Sequence, residues 1–150
     1  MKEFWNMSAR VVVTVLLLAL IGCAEARPMP AGKSLYDRLG GNAAISAVVD
    51  QFAANVVADT RINGRFATTD IPRLRGHLFD QVCRTTGGPC KYTGRDMKTT
   101  HAGMKISNAD FGALVEDLVK ALDTLKVPAQ EKGELLRLLG GMKKDIVEVP

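Results

Sequence analysis

The sequence predicts an all-α domain, and three observations carry that prediction. Apolar residues recur at helical spacing in four stretches, helix-start signals stand ahead of those stretches, and nothing after the leader alternates with period two for long enough to make a strand. Four main helices and two short ones account for the pattern. With 150 residues and 47% hydrophobic content, the chain suits one compact domain once its leader is removed.

The leader is residues 1–23. Lys2 and Arg10 give it a positive start, and Val11–Ile21 is an apolar run of 11 residues interrupted by Thr14. Such a run is short for a bilayer span and fits the core of an export signal. It ends in Leu20-Ile21-Gly22-Cys23, the pattern of a bacterial lipobox, in which Cys23 is lipidated and tethers the domain to a membrane. Ala24-Glu25-Ala26 also serves as an ordinary A-x-A cleavage site. Either route places the domain outside the cytoplasm, on the periplasmic side. Residues 24–33, rich in proline, read as a linker, and residues 34–150 as the domain.

The formal charge is +4, of which Lys2, Glu3 and Arg10 supply +1. The remaining excess is small and no basic patch interleaves with aromatics, so the sequence makes no case for nucleic acid.

Ser34–Gly41 reads as a short turn of helix stopped by two glycines. A helix then starts at Asn42, with Asn as its cap, and shows one apolar face of Ile45, Val48, Val49, Phe52 and Val56. Asp59–Gly64 breaks it. Phe66 follows alone in a polar stretch, where it either plugs the edge of a core or stacks on a flat ligand. Thr69-Asp70-Ile71-Pro72 opens the next helix, proline being tolerated in the first turn. Its inward face is Ile71, Leu74, Leu78 and Val82, with His77 on the flank. Ser107-Asn108-Ala109-Asp110 is a capping signal for a long helix with the stripe Phe111, Leu114, Val115, Leu118, Leu122 and Leu125. Pro128 opens the last helix, whose apolar set is Leu135, Leu136, Leu138, Leu139, Met142 and Ile146.

Between the second and third long helices lies Gly87–Ile106, GGPCKYTGRDMKTTHAGMKI, the stretch around which the chemistry gathers. A short helical piece from about Asp96 ends in His101, with Gly103 as a stop signal. A histidine between Met97 and Ile106 is either a core imidazole bonded to a carbonyl or the proximal ligand of a haem iron, and spacing does not decide between them. Cys83 and Cys90 stand seven apart around Gly87-Gly88-Pro89, which lets the chain fold back. In an oxidising compartment that spacing favours a disulfide over two buried thiols, and the two histidines lack zinc-ligand spacing.

Leu35-Tyr36-Asp37-Arg38-Leu39-Gly40-Gly41, Phe52, Ala58-Asp59, Phe66, Gly87-Gly88-Pro89, Tyr92-Thr93-Gly94, Met97 and His101 resemble, in order, the group 1 truncated haemoglobins. The resemblance runs from about Ser34 to Val147. It implies a two-over-two sandwich of helices around haem b, with the double glycines ending short helices so that a nearly unwound segment carries the proximal histidine. By the same resemblance His101 is the proximal iron ligand and Phe66 stacks on the porphyrin. Phe52, Leu74 and Leu78 line the distal pocket, while Met97, Ile106, Phe111 and Val115 pack the proximal side. Arg73 pairs a propionate, and Tyr92 lies near the same haem edge.

One departure stands out. The family usually has a tyrosine directly after the phenylalanine that matches Phe52, and its hydroxyl donates a hydrogen bond to the bound gas. This chain has Ala53 there, and leucines, Leu74 and Leu78, at two helix positions that often carry glutamine. Two polar residues remain, His77, placed where some cyanobacterial members have a second iron ligand, and Gln81 one turn further on. The implied functions are gas binding (oxygen or nitric oxide) with nitric oxide oxidation as its enzymatic extension, and a bis-histidyl haem served by an electron donor. A haem-free lipoprotein scaffold is the reading from a different class.

Overall fold

The structure is a computed structural model that describes residues 32–149. The signal segment, the Cys23 lipidation site and nearly all of the linker lie outside the described residues. Six α-helices follow in order: α1 (Leu35–Leu39), α2 (Gly41–Ala58), α3 (Ile71–Thr85), α4 (Met97–His101), α5 (Asn108–Thr124) and α6 (Ala129–Gly140). Short 3-10 turns occupy Asn63–Phe66 and Lys143–Asp145. Extended pairing among the described residues is limited to one parallel bridge between Ser107 and Val149. Helix α2 packs on α3 and on α5, and α6 packs on α5 and α1. Two helix pairs, α2/α3 and α5/α6, therefore form the two layers of a two-over-two sandwich.

Helix α1 has five residues, too few to persist by local hydrogen bonding alone. A capping box of Ser34 and Asp37 satisfies its first amides. Tertiary contacts hold the rest: Leu35 is buried, the Tyr36 amide donates to the Thr86 carbonyl at 2.9 Å, and Arg38 pairs with Glu131 and Glu134 of α6. Asn42 does not cap α2. Gly40, in the left-handed conformation at φ 104°, both ends α1 and begins α2, so no position is left for a side-chain cap. Asn42 instead lies in the first turn of α2 and accepts a hydrogen bond from the Tyr36 hydroxyl at 2.8 Å.

The expected apolar faces of the long helices are present, with two corrections at helix ends. Leu125 follows the last turn of α5 and is exposed rather than packed. Met142 and Ile146 do not belong to α6, which stops at Gly140; two successive glycines disfavour continuation, and the chain passes into the 3-10 turn. The principal core joins Leu35, Ile45, Val48, Val49, Val82, Cys83, Leu122 and Leu135, and a second cluster joins Val56, Ile62 and Ala113. In α5 the buried residues are Ala113, Asp117, Ala121 and Leu122. The larger apolar residues Phe111, Leu114, Val115 and Leu118 are only half-buried, because they face a cavity.

Cys83, fully buried at the end of α3, is disulfide-bonded to Cys90 with a Cα–Cα distance of 5.7 Å. Gly88 threads between this bond and Tyr36, where a Cβ would stand only 2.7 Å from the Cys83 sulfur. Closing so small a loop stabilises the fold by about 2–3 kcal/mol in the chain-entropy account. The Cys83→Ala/Cys90→Ala protein should lose about that much in denaturant titration, and unreduced wild-type protein should show no reactive thiol at either position.

Asp110 completes the capping box that Ser107 opens at the start of α5: its carboxylate accepts from the Ser107 hydroxyl at 2.7 Å, the Ser107 amide at 2.8 Å and Arg65 at 2.7 Å. These bonds pull its pKa down to about 2. Asp59, bonded to the Arg61 side chain and amide, also falls to about 2. A folded-state pKa below the ordinary value means the stabilisation is complete above pH 4 and is lost as pH falls through 2. Thermal stability should therefore fall between pH 4 and pH 2, and Asp110→Asn should flatten that part of the profile.

Candidate cofactor-binding site

The half-buried stripes of α2, α3 and α5 enclose a cavity of about 600 Å³ together with α6 and the segment from Tyr92 to His101. That volume lies within the usual range for a small-molecule or cofactor site. Val48, Val49, Phe52, Ala53, Val56, Leu74, Leu78, Leu114, Val115, Leu118, Leu135, Leu136 and Leu139 give it aliphatic and aromatic walls. Its polar lining is sparse: Arg73, His77, Gln81, Tyr92, Thr93, Arg95, Thr100 and His101.

His101 closes helix α4, which Asp96 caps by accepting from the Thr99 amide at 2.9 Å. The His101 Nδ1 lies 2.8 Å from the Met97 carbonyl oxygen one turn earlier. A carbonyl only accepts, so Nδ1 carries the proton and Nε2 keeps its lone pair. The helix backbone thereby fixes the tautomer that a metal needs. Beyond His101 the chain turns through Gly103, and Glu148 accepts from the Gly103 amide at 2.7 Å and the Lys105 amide at 2.6 Å. Those two bonds hold the Glu148 carboxyl below the usual carboxylate range.

His77 lines the cavity from α3 and meets the Tyr92 ring edge-on, with centroids 6.2 Å apart. The Tyr92 hydroxyl donates to the Arg95 carbonyl at 2.9 Å, and burial, followed by the Asp96 charge, raises its pKa. Gln81 directs its amide at the thioethers of Met142 (3.0 Å) and Met97 (3.5 Å), which engages the donor on the wall. Arg73 is exposed at the rim, and no ion pair holds its guanidinium among the described residues.

Of the residues singled out in the sequence, Phe52, Phe66, Arg73, Leu74, His77, Leu78, Tyr92, Met97, His101, Phe111 and Val115 converge on this one cavity. Ile106 does not. It is half-buried away from the lining, and its carbonyl accepts the Glu148 and Val149 amides at 2.9 and 3.1 Å. Leu135, Leu136, Leu139, Met142 and Ile146 line the cavity and were legible only as core, since periodicity does not separate a face that packs from a face that borders a cavity. Glu148 carried no signal at all, being a lone acid near the C-terminus. Asp117 is likewise unannounced: it is 1% exposed, its Oδ1 lies 3.3 Å from Lys120, and its backbone carbonyl accepts from Asn55.

A helical sandwich with an apolar cavity and one tautomer-fixed histidine has the architecture of a globin. Residues 34–148 match the Bacterial-like globin family, and the chain belongs to it. It is similar to the Group 1 truncated hemoglobin GlbN of Mycolicibacterium paratuberculosis, with 35% identity over 113 residues, 75% of this chain and 83% of that one. Among solved structures it resembles the truncated hemoglobin of Tetrahymena pyriformis in its Fe(III) form (TM-score 0.74, 31% identity, covering 77% of this chain and 98% of that one). The 2/2 hemoglobin of Synechococcus sp. PCC 7002, in the cyanomet state with covalently attached heme, aligns with a TM-score of 0.73 at 30% identity, over 77% and 98% of the two chains.

The donor set fits haem. A flat, largely apolar macrocycle matches the aliphatic and aromatic walls, an imidazole with a free Nε2 suits iron, and the cationic Arg73 and Arg95 at the lining suit carboxylates.

Proposed function

We propose that this protein is a haem-binding truncated globin that takes up diatomic gases in a pocket poor in hydrogen-bond donors. The observation that carries the reading is the cavity itself, with His101 presented in its metal-binding tautomer and Ala53 buried on the wall beside Phe52. Haem b is the cofactor of this family, and when bound it supplies an iron that coordinates oxygen, nitric oxide or carbon monoxide. His101 would hold the iron, Phe66 and Phe52 would pack the macrocycle, and Arg73 would pair a propionate at the rim. Met97, Phe111 and Val115 would pack the His101 side, and Leu74 and Leu78 the opposite side.

Ala53 decides the selectivity we assign. Its methyl donates nothing, and the nearby Gln81 amide is engaged by Met142 and Met97. Bound oxygen, which is polarised and needs a donor for long retention, is disfavoured relative to nitric oxide and carbon monoxide. Oxidation of nitric oxide to nitrate asks the pocket to retain oxygen, so the absent donor weighs against efficient turnover of that kind. For localisation, the apolar run Val11–Ile21 and the Leu20–Cys23 pattern support an exported domain held at a membrane surface through Cys23.

His77 supports a second reading. It is a cavity-lining imidazole on α3, and with apolar neighbours Leu74 and Leu78 it is available as a second iron ligand. A bis-histidyl iron favours one-electron transfer with an external donor. Visible spectra of ferric and ferrous protein separate the two. Sharp split ferrous bands that vanish in His77→Ala establish the second ligand, whereas a broad spectrum unchanged in His77→Ala establishes an open gas site. His101→Ala should lose haem during gel filtration in either case; a variant that retained it stoichiometrically would refute the proximal assignment. Ala53→Tyr should slow oxygen dissociation about ten- to a hundredfold, the worth of one hydrogen bond to a charged acceptor, as read by stopped-flow ligand displacement.

A further inference from the structure

The turn that follows His101 is built from conformations that the local chain does not favour. Ala102 leaves the helix with φ −55° and ψ 126°, and Gly103 and then Lys105 enter the left-handed region at φ 79° and 51°. A lysine there costs on the order of 1 kcal/mol, and a helix of five residues has little stability with which to impose it. Two distant segments grip this turn from opposite sides. The Glu148 carboxylate takes its N–H groups, Oε1 from Gly103 at 2.7 Å and Oε2 from Lys105 at 2.6 Å. The Glu148 and Val149 amides in turn bond the Ile106 carbonyl, which fixes the C-terminal segment beside the turn. On the other side the Arg65 guanidinium takes the carbonyl groups, Nη1 to Met104 at 2.9 Å and Nη2 to Lys105 at 3.5 Å, while Asp110 anchors the same Nη2 at 2.7 Å.

We propose that Glu148 and Arg65 form an opposite-charge clamp that positions His101 toward the haem. An anion on the amides and a cation on the carbonyls align the peptide dipoles of residues 103–105, and this alignment fixes where α4 ends and how its last side chain is presented. Arg65 directly precedes Phe66, so the clamp also ties the histidine to an aromatic on the cavity wall. Both are positioning residues, since neither lines the cavity. This inference rests on the haem reading above.

The test uses haem-loaded protein with Glu148→Gln, Arg65→Gln and, as a surface control, Arg84→Gln. Glu148→Gln keeps the side-chain size but sets an amide N–H₂ against a backbone N–H. Three quantities are read: haem transfer to an excess scavenger, the ferrous iron–histidine stretching band, and amide hydrogen exchange at Gly103 and Lys105. The clamp predicts haem loss faster by at least about tenfold in both clamp variants, the worth of a single charge-assisted hydrogen bond. It also predicts a shifted or broadened iron–histidine band and faster exchange at the two amides, with the control unchanged. Faster exchange with an unaltered band and haem-loss rate would show a purely structural tether and overturn the proposal. Unchanged exchange would overturn the clamp itself. Wild-type protein that takes up no haem would instead overturn the reading beneath it, and the proposal with it.

Discussion

Helix α2 packs against α1, α3, α5 and the Asn63–Phe66 turn, and the rest of the structure depends on that shared packing. Its buried face, Ile45, Val48, Val49 and Val56, excludes water from both layers at once. Burial of four such side chains contributes several kcal/mol, more than any single hydrogen bond in the domain. The same helix carries Phe52 and Ala53 onto the cavity wall. The distance between the two layers, and therefore the room for a flat cofactor, is referred to this one element.

The site segment illustrates a different balance. Between Thr86 and Asn108 the only helix is α4, and its five residues cannot outweigh the backbone entropy they lose. Order there comes from outside: the disulfide to Cys90, the Tyr92 contact with His77, and the bonds from Glu148 and Arg65 to the turn after His101. The first two join the segment to the preceding helix α3, and the last reaches the turn from residues some 40 away in sequence. A ligand-bearing segment held in this way keeps the orientation of its histidine only while the whole domain is folded.

The chemistry of the cavity follows from its scarcity of donors. Where a tyrosine would supply a hydroxyl there is a methyl, and the one amide close by is occupied by sulfur. His77 meets Tyr92 by an aromatic edge rather than a strong hydrogen bond, so little energy holds it in place.

The sequence by itself determined the secondary structure and which residues make up each apolar face. Helical periodicity marks Ile45 to Val56 and Phe111 to Leu122, capping chemistry marks Asp70, Asp96 and Ser107, and the spacing from Tyr92 to His101 carries the family resemblance. Local rules of this kind act over a few residues, so they can be read from a few residues. The cap of α2 was misread because Gly40 serves two helices at once, and the end of α6 because apolar spacing continues through Met142 after the helical hydrogen bonds stop. Only the tertiary structure decided which apolar faces pack and which border the cavity, that Ile106 turns away from it, and that Glu148 and Arg65 meet across the turn after His101. Those outcomes depend on contacts between residues some 40 apart, whose register is set by the packing of whole helices rather than by any local signal.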